Sequence, residues 1–141
     1  MHHITLTASG GPFLNRPLNK FKDITIEEAL KHPKWQMGKK ISIDSATLIN
    51  KALEVIEAGF LFELKSNQIN VVIHPESIIH GLVHYKDGSV LANLALPDMI
   101  SPLSVAIGYP ERYNLDLPKL DLVEVSQLNF LNYLYYPKSL S

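Results

Sequence analysis

Asn50, Lys51 and Glu54 fall at i, i+1 and i+4 along a stretch of helical periodicity, so their amide, ammonium and carboxylate can converge on one ligand. Lysine and asparagine supply donors suited to a phosphate, and the carboxylate offers a hard oxygen to Mg²⁺ or Mn²⁺. Ser45 stands just upstream, where a helix start would add unpaired backbone N–H groups and the positive end of the dipole to its hydroxyl. Together these residues describe a phosphate and a cation side by side. The plainer reading is a solvated helix face carrying a Lys51–Glu54 pair, and spacing alone favours it.

Three other constellations bear on chemistry. Ser9-Gly10-Gly11 follows a short alternating run and could wrap backbone amides around a phosphate, although it matches neither the Rossmann nor the P-loop pattern and a plain turn is the better reading. His32, Trp35 and Met37 lie on a loop where a Trp and a Met would close over a small ligand, or simply anchor the loop on the core. His80 and His84 share a strand face by parity, which suits a zinc pair, but without a third close ligand structural histidines are the better reading of these two and of His74.

The elements that must position these groups are partly readable. Ile4 and Leu6 alternate with Thr5 and Thr7 as in a half-buried strand that stops at Ser9. Thr25 precedes Glu28 by three residues, a capping box opening a short helix that ends near Pro33. The span from about residue 9 to 40 is rich in Pro, Gly, Lys and Asn, and its length predicts a flexible loop over the site. Ile41 and Ile43 flank Ser42 as in a strand; Asp44 and Ser45 then offer N-cap oxygens to a helix running toward Phe62. On that helix Leu48, Ile49, Ala52, Leu53, Val55, Ile56 and Phe60 make an apolar arc opposite Thr47, Asn50, Lys51 and Glu54. Strands are expected over residues 69–73, 79–85 and 90–96, the last two joined by the hairpin turn Lys86-Asp87-Gly88-Ser89, with a short helix over 100–107. The order predicts an α+β fold: a mixed sheet covered by helices. Apolar residues crowd the C-terminal end from Leu128 to Tyr136, so a further surface is expected to cover them.

Bulk properties narrow the function classes. With 46% apolar and 19% charged residues the chain of 141 residues is globular, with one modest core. Thirteen basic against 14 acidic residues give no broad field for nucleic acid or an anionic membrane. Cysteine is absent, which excludes thiolate chemistry and accords with a reducing cytoplasm. No signal peptide is expected from the first residues, and no run reaches the roughly 18 apolar residues of a membrane span.

Four stretches carry a resemblance: Leu6-Thr7-Ala8-Ser9-Gly10-Gly11-Pro12-Phe13, residues 32–42 from His32 to Ser42, residues 43–54 from Ile43 to Glu54, and His74-Pro75-Glu76-Ser77-Ile78-Ile79-His80. With Asp87-Gly88-Ser89-Val90-Leu91-Ala92 and Leu96-Pro97-Asp98-Met99, they resemble 1-deoxy-D-xylulose 5-phosphate reductoisomerase from Ile4 to about Pro110. The resemblance implies NADPH-dependent conversion of that phosphosugar to 2-C-methyl-D-erythritol 4-phosphate, by rearrangement and then reduction, with a divalent cation gripping the ketone and hydroxyl oxygens. Residue by residue it implies Ser9, Ser45, Asn50 and Lys51 as phosphate and substrate anchors, and Glu54 as a substrate contact and one metal carboxylate. It further implies His32 and Trp35 with Met37 on the closing flap, His80 beside the substrate, and Met37 and Met99 toward the nicotinamide.

Departures from the family pattern are expected to matter. The family's N-terminal Rossmann-like domain with its Gly-rich fingerprint has no counterpart here, nor does the Asp-Ser-Glu triplet that supplies its other metal carboxylates. The family's C-terminal helical domain is expected to be absent too. Residues 1–109 are expected to form the catalytic, substrate- and metal-binding domain, and residues 110–141 a shortened linker. Partners expected are the phosphosugar, a second copy through the sheet and a separate polypeptide supplying the N-terminal half. The other reading is a non-catalytic phosphosugar-binding or interaction module.

Overall fold

The computed structural model describes residues 1–32 and 38–132, so Trp35, Met37 and the run from Tyr133 to Tyr136 lie outside the described residues. β1 (His3–Ala8), β2 (Ile69–Ile73), β3 (Ile79–His84), β4 (Val90–Leu94) and β5 (Leu131–Asn132) form one sheet in the order β4-β3-β1-β2-β5. β1 and β2 run parallel and the other neighbours antiparallel. The helices are α1 (Ile26–Ala29), α2 (Lys39–Ala46), α3 (Ile49–Leu61), α4 (Ile100–Gly108) and α5 (Leu122–Val125). The chain is therefore α+β with a mixed sheet, as its element order predicts.

β1 is central and is covered more fully than a half-buried strand. Ile4 and Ala8 are buried, but so are Thr5 and Thr7, at 6% and 9% exposed. Their hydroxyls are satisfied: Thr7 donates to the Ile79 carbonyl at 2.6 Å, and Thr5 bonds His84 Nε2 at 2.9 Å. On the other face Ile4 packs with Ile69 of β2 and Ala58 of α3, joined by Leu6, Val55, Leu64 and Val83. Each buried isoleucine contributes roughly 1.5–3 kcal/mol, so this contact fixes α3 across the parallel pair.

The segment from Ile41 to Leu48 differs from expectation. Residues 41–43 are not a strand but part of α2, and Asp44 and Ser45 end that helix instead of capping the next. A four-residue repeat of small side chains decides it: Ser42 and Ala46 are buried to 2% and 1%, while Ile41 and Ile43 face outward. The chain then breaks at Leu48, left-handed at φ 60°, and α3 starts at Ile49 with no side-chain cap. Leu48 packs against Ala8 and Ile73, and this contact holds the strained residue where local propensity would have continued the helix.

Residues 11–32 carry more structure than a bare loop. A 3-10 turn spans Leu18–Asp23, the Thr25–Glu28 capping box opens α1, and α1 ends at Ala29. Phe13, Ala29 and Ala46 form a small core with Phe21 and Ile24, and Arg16 pairs with Glu28 at 2.8 Å. The hairpin turn before β4 forms as predicted, with Gly88 at φ 89° and the Asp87 carboxylate accepting from the Ser89 N–H and hydroxyl.

Candidate functional site

α3 reverses the usual arrangement of an amphipathic helix. Its apolar arc faces outward, with Ile49, Leu53, Ile56 and Phe60 all at least half exposed, whereas Asn50, Lys51 and Glu54 are half-buried on the same side as Val55 and Ala58. The polar face is thus only partly solvated, although it carries the Lys51–Glu54 pair that the plainer reading expected. The polar groups border a hollow of about 550 Å³ beside the carboxyl end of β1. Open sheets place ligands at such strand ends, where turns leave room and backbone groups point outward.

Every predicted site residue among those described borders this one hollow: Ser9, His32, Ser45, Asn50, Lys51, Glu54, His80 and Met99. Trp35 and Met37 lie outside the described residues. Ser9 Oγ stands 3.1 Å from His32 Nε2. Glu54 accepts from Asn50 Nδ2 at 2.9 Å and from Lys51 Nζ at 2.5 Å, one donor per oxygen. His80 Nε2 lies 3.1 Å from the Ala95 carbonyl, to which it donates. Burial holds the His32 imidazole below its ordinary value, so near neutrality it acts as a hydrogen-bonding ring.

Ser45 reaches the hollow from the C-terminal end of α2, so the helix amides expected beside it belong instead to the start of α3, where Asn50 and Lys51 sit. Gly11 secures this join: at φ 62°, a Cβ there would lie 3.1 Å from the Ser45 carbonyl. Sequence reasoning missed Ser77, which borders the hollow at φ 57°. Its signal was a serine directly after Pro75-Glu76, a turn position passed over while the flanking histidines were weighed.

A wider cleft of about 850 Å³ also touches Ser9, but of the candidates it holds only that residue, and its Arg16 is already paired with Glu28. Convergence of chemistry, not volume, selects the smaller hollow. His84 is bonded to Thr5 and stacked on His3 at 4.0 Å, bordering a different hollow from His80, so the two histidines do not form a ligand pair. Among the described residues no three His, Asp or Glu side chains converge as metal ligands. Glu54 alone, with both oxygens engaged, does not complete the oxygen shell that Mg²⁺ demands. The sequence also contains no Gly-x-Gly-x-x-Gly run to cradle a dinucleotide.

Residues 1–62 match the family profile of the 1-deoxy-D-xylulose 5-phosphate reductoisomerase C-terminal domain. The reductoisomerase of Persephonella marina is 58% identical over 91% of this chain and 34% of its own length. That of Clostridium tetani is 57% identical over 92% of the chain and 34% of its own length. The chain belongs to the 1-deoxy-D-xylulose 5-phosphate reductoisomerase family. It spans about a third of the length of the curated reductoisomerases it matches. A reductoisomerase crystal structure in complex with NADPH, fosmidomycin and magnesium superposes with a TM-score of 0.89 at 51% identity, covering 93% of this chain and 32% of that one. The Zymomonas mobilis reductoisomerase in complex with NADPH gives 0.85 at 40% identity, covering 96% and 35%.

Proposed function

We propose that the hollow binds the phosphate end of a small phosphosugar, and that the chain forms the substrate-handling surface for NADPH-dependent conversion of 1-deoxy-D-xylulose 5-phosphate to 2-C-methyl-D-erythritol 4-phosphate. The observation that carries this reading is the inward turn of the α3 polar face, which withdraws Lys51 to 15% side-chain exposure beside hydroxyl and amide donors. Withdrawing an ammonium from water is costly, and an anion that completes its hydrogen bonds recovers that cost. Ser9, Ser45, Asn50 and Lys51 anchor the phosphate. His32 orients Ser9, and His80 faces the carbon chain. Trp35 and Met37 belong to the cover of the site, within the loop of about residues 9–40. Met99 faces the nicotinamide.

The relatives' complexes with NADPH and magnesium support those two cofactors. Glu54 supplies one carboxylate toward Mg²⁺ or Mn²⁺, and the remaining oxygen ligands and the dinucleotide cradle come from outside the described residues, a separate N-terminal half being one source. On this reading residues 1–109 are the substrate- and metal-binding domain, residues 110–141 lead away from it, two copies pair through the sheet, and the protein works in the cytoplasm. No helix among the described residues is long and apolar enough to cross a membrane. Phosphosugar binding without turnover is a second reading, favoured by the engagement of both Glu54 oxygens by protein donors.

Calorimetry with a phosphonate-hydroxamate mimic of the substrate tests the proposal. The 141-residue chain should bind through the phosphonate end, lose about tenfold or more in affinity on Lys51→Ala, and gain little from Mn²⁺. Binding indifferent to Lys51→Ala would overturn the assignment. An NADPH oxidation assay separates the two readings, since only the first expects turnover when the nucleotide-binding half is supplied.

A further inference from the structure

His74, Pro75 and Glu76 lead from β2 to Ser77 at the edge of the hollow, Pro75 and Glu76 themselves bordering the wider cleft, and carry none of the roles above. His74 is fully buried, at 0% exposed, and its bonds join the local turn to two distant parts of the chain, Ala8 and Asn129. Its backbone N–H donates to the Ala8 carbonyl at 2.7 Å, joining it to the end of β1. Its ring Nε2 accepts from the Ile78 N–H at 3.2 Å, while the Ser77 N–H donates to the His74 carbonyl at 3.1 Å. The ring thus closes the turn that holds Ser77 at φ 57°, a left-handed conformation that a serine keeps only when its surroundings impose it.

With Nε2 accepting, the proton resides on Nδ1, which donates to the Asn129 carbonyl at 2.8 Å. Glu76 grips the same residue, one oxygen accepting from Asn129 Nδ2 at 2.6 Å and the other from its N–H at 3.2 Å. Burial would raise the Glu76 carboxyl, but its bonds to Asn129 outweigh this and hold it below the usual range. Phe130 stacks on the imidazole at 4.9 Å, and Leu131 and Asn132 then pair with β2. One buried histidine and one carboxylate therefore connect residues 127–132 to the turn on which Ser77 stands and from which β3 and His80 start.

We propose that His74 and Glu76 are positioning residues: by clamping Asn129 they hold the Ser77 turn and the start of β3 against the phosphate hollow, coupling order in the 127–132 segment to ligand affinity. The coupling rests on the phosphate reading of the hollow; the clamp itself does not. Because coupling free energies are reciprocal, ligand in the hollow must also steady Asn129.

Two arms test this on the full chain by nuclear magnetic resonance. Without ligand, Asn129→Ala should shift the Ser77 and His80 amide resonances while the fold stays cooperative; unmoved resonances overturn the clamp whatever the hollow binds. With inorganic phosphate, the wild type should show slower exchange of the Asn129 N–H. Glu76→Ala should weaken phosphate about fivefold, and Glu76→Gln, which keeps one carbonyl acceptor, should recover part of the loss. A purely structural role would lower the melting temperature and leave affinity and Asn129 exchange unchanged, and that result overturns the coupling. Phosphate binding that vanishes in Lys51→Ala while both Glu76 variants bind like wild type would sink the coupling and spare the reading of the hollow. No phosphate binding by the wild type would sink that reading and the coupling with it, leaving the ligand-free arm to decide the clamp.

Discussion

Lys51 and Glu54 form an ion pair 2.5 Å apart in a half-buried setting, so the site is close to neutral until a ligand arrives. A phosphate must then share Lys51 with a carboxylate that repels it. Replacing Glu54 by Gln keeps the size and one acceptor but removes that charge, so inorganic phosphate should bind about three- to tenfold tighter by titration calorimetry, the reverse of the Lys51→Ala result. His32 carries a second test. Burial keeps its folded-state value below the ordinary 6.5, so the unfolded chain takes up the proton first as pH falls. The stability contribution is complete above the ordinary value and is lost as pH drops through the folded one. His3, lowered by burial and by its histidine neighbours, acts in the same sense. Urea midpoints should fall between pH 7.5 and 5, and His32→Gln should flatten part of that slope; equal slopes for both chains would contradict the burial argument.

At the scale of elements, the site depends on the join between the Gly10-Gly11 turn and the end of α2. Gly11→Ala puts a side chain on a left-handed residue and 3.1 Å from the Ser45 carbonyl, so it should cost about 1–3 kcal/mol in denaturant unfolding. It should also weaken phosphate binding by moving Ser45, whereas unchanged affinity would detach Ser45 from the site. The sequence disclosed this region unevenly. Alternation and turn chemistry gave β1, the β3–β4 hairpin and the α1 cap, because local preference and final structure agree there. Ile41-Ser42-Ile43 misled because two β-branched residues mask the Ser42/Ala46 spacing that buries α2. The left-handed break at Leu48 was illegible because its cause, contact with Ala8 and Ile73, is distant in sequence. The convergence of Asn50, Lys51 and Glu54 followed from helical spacing, but its inward direction did not. Hydrophobic periodicity taken alone pointed the helix the other way, and family resemblance supplied the ligand-facing reading.

For the molecule as a whole, that orientation leaves apolar surface outside. Phe60 is 82% exposed and Ile107 of α4 equally so, and β4 is exposed along its length. Patches of this kind mark surfaces that associate. The 141-residue chain should therefore show concentration-dependent association by sedimentation. Phe60→Glu should reduce it and leave phosphate affinity unaltered, because that side chain lies on the face of α3 opposite Lys51. Association unaffected by Phe60→Glu would assign it to the β4 edge or to α4. The central claim, that the polar face of α3 is a ligand-binding face, is tested most directly by titrating inorganic phosphate into isotope-labelled chain and mapping amide shifts. The account predicts saturable shifts at Ser9, Ser45, Asn50, Lys51 and Ser77, with Leu53, Ile56 and Phe60 silent. Shifts confined to Arg16 and Lys20 in the wider cleft, or no saturable shifts at all, would contradict it.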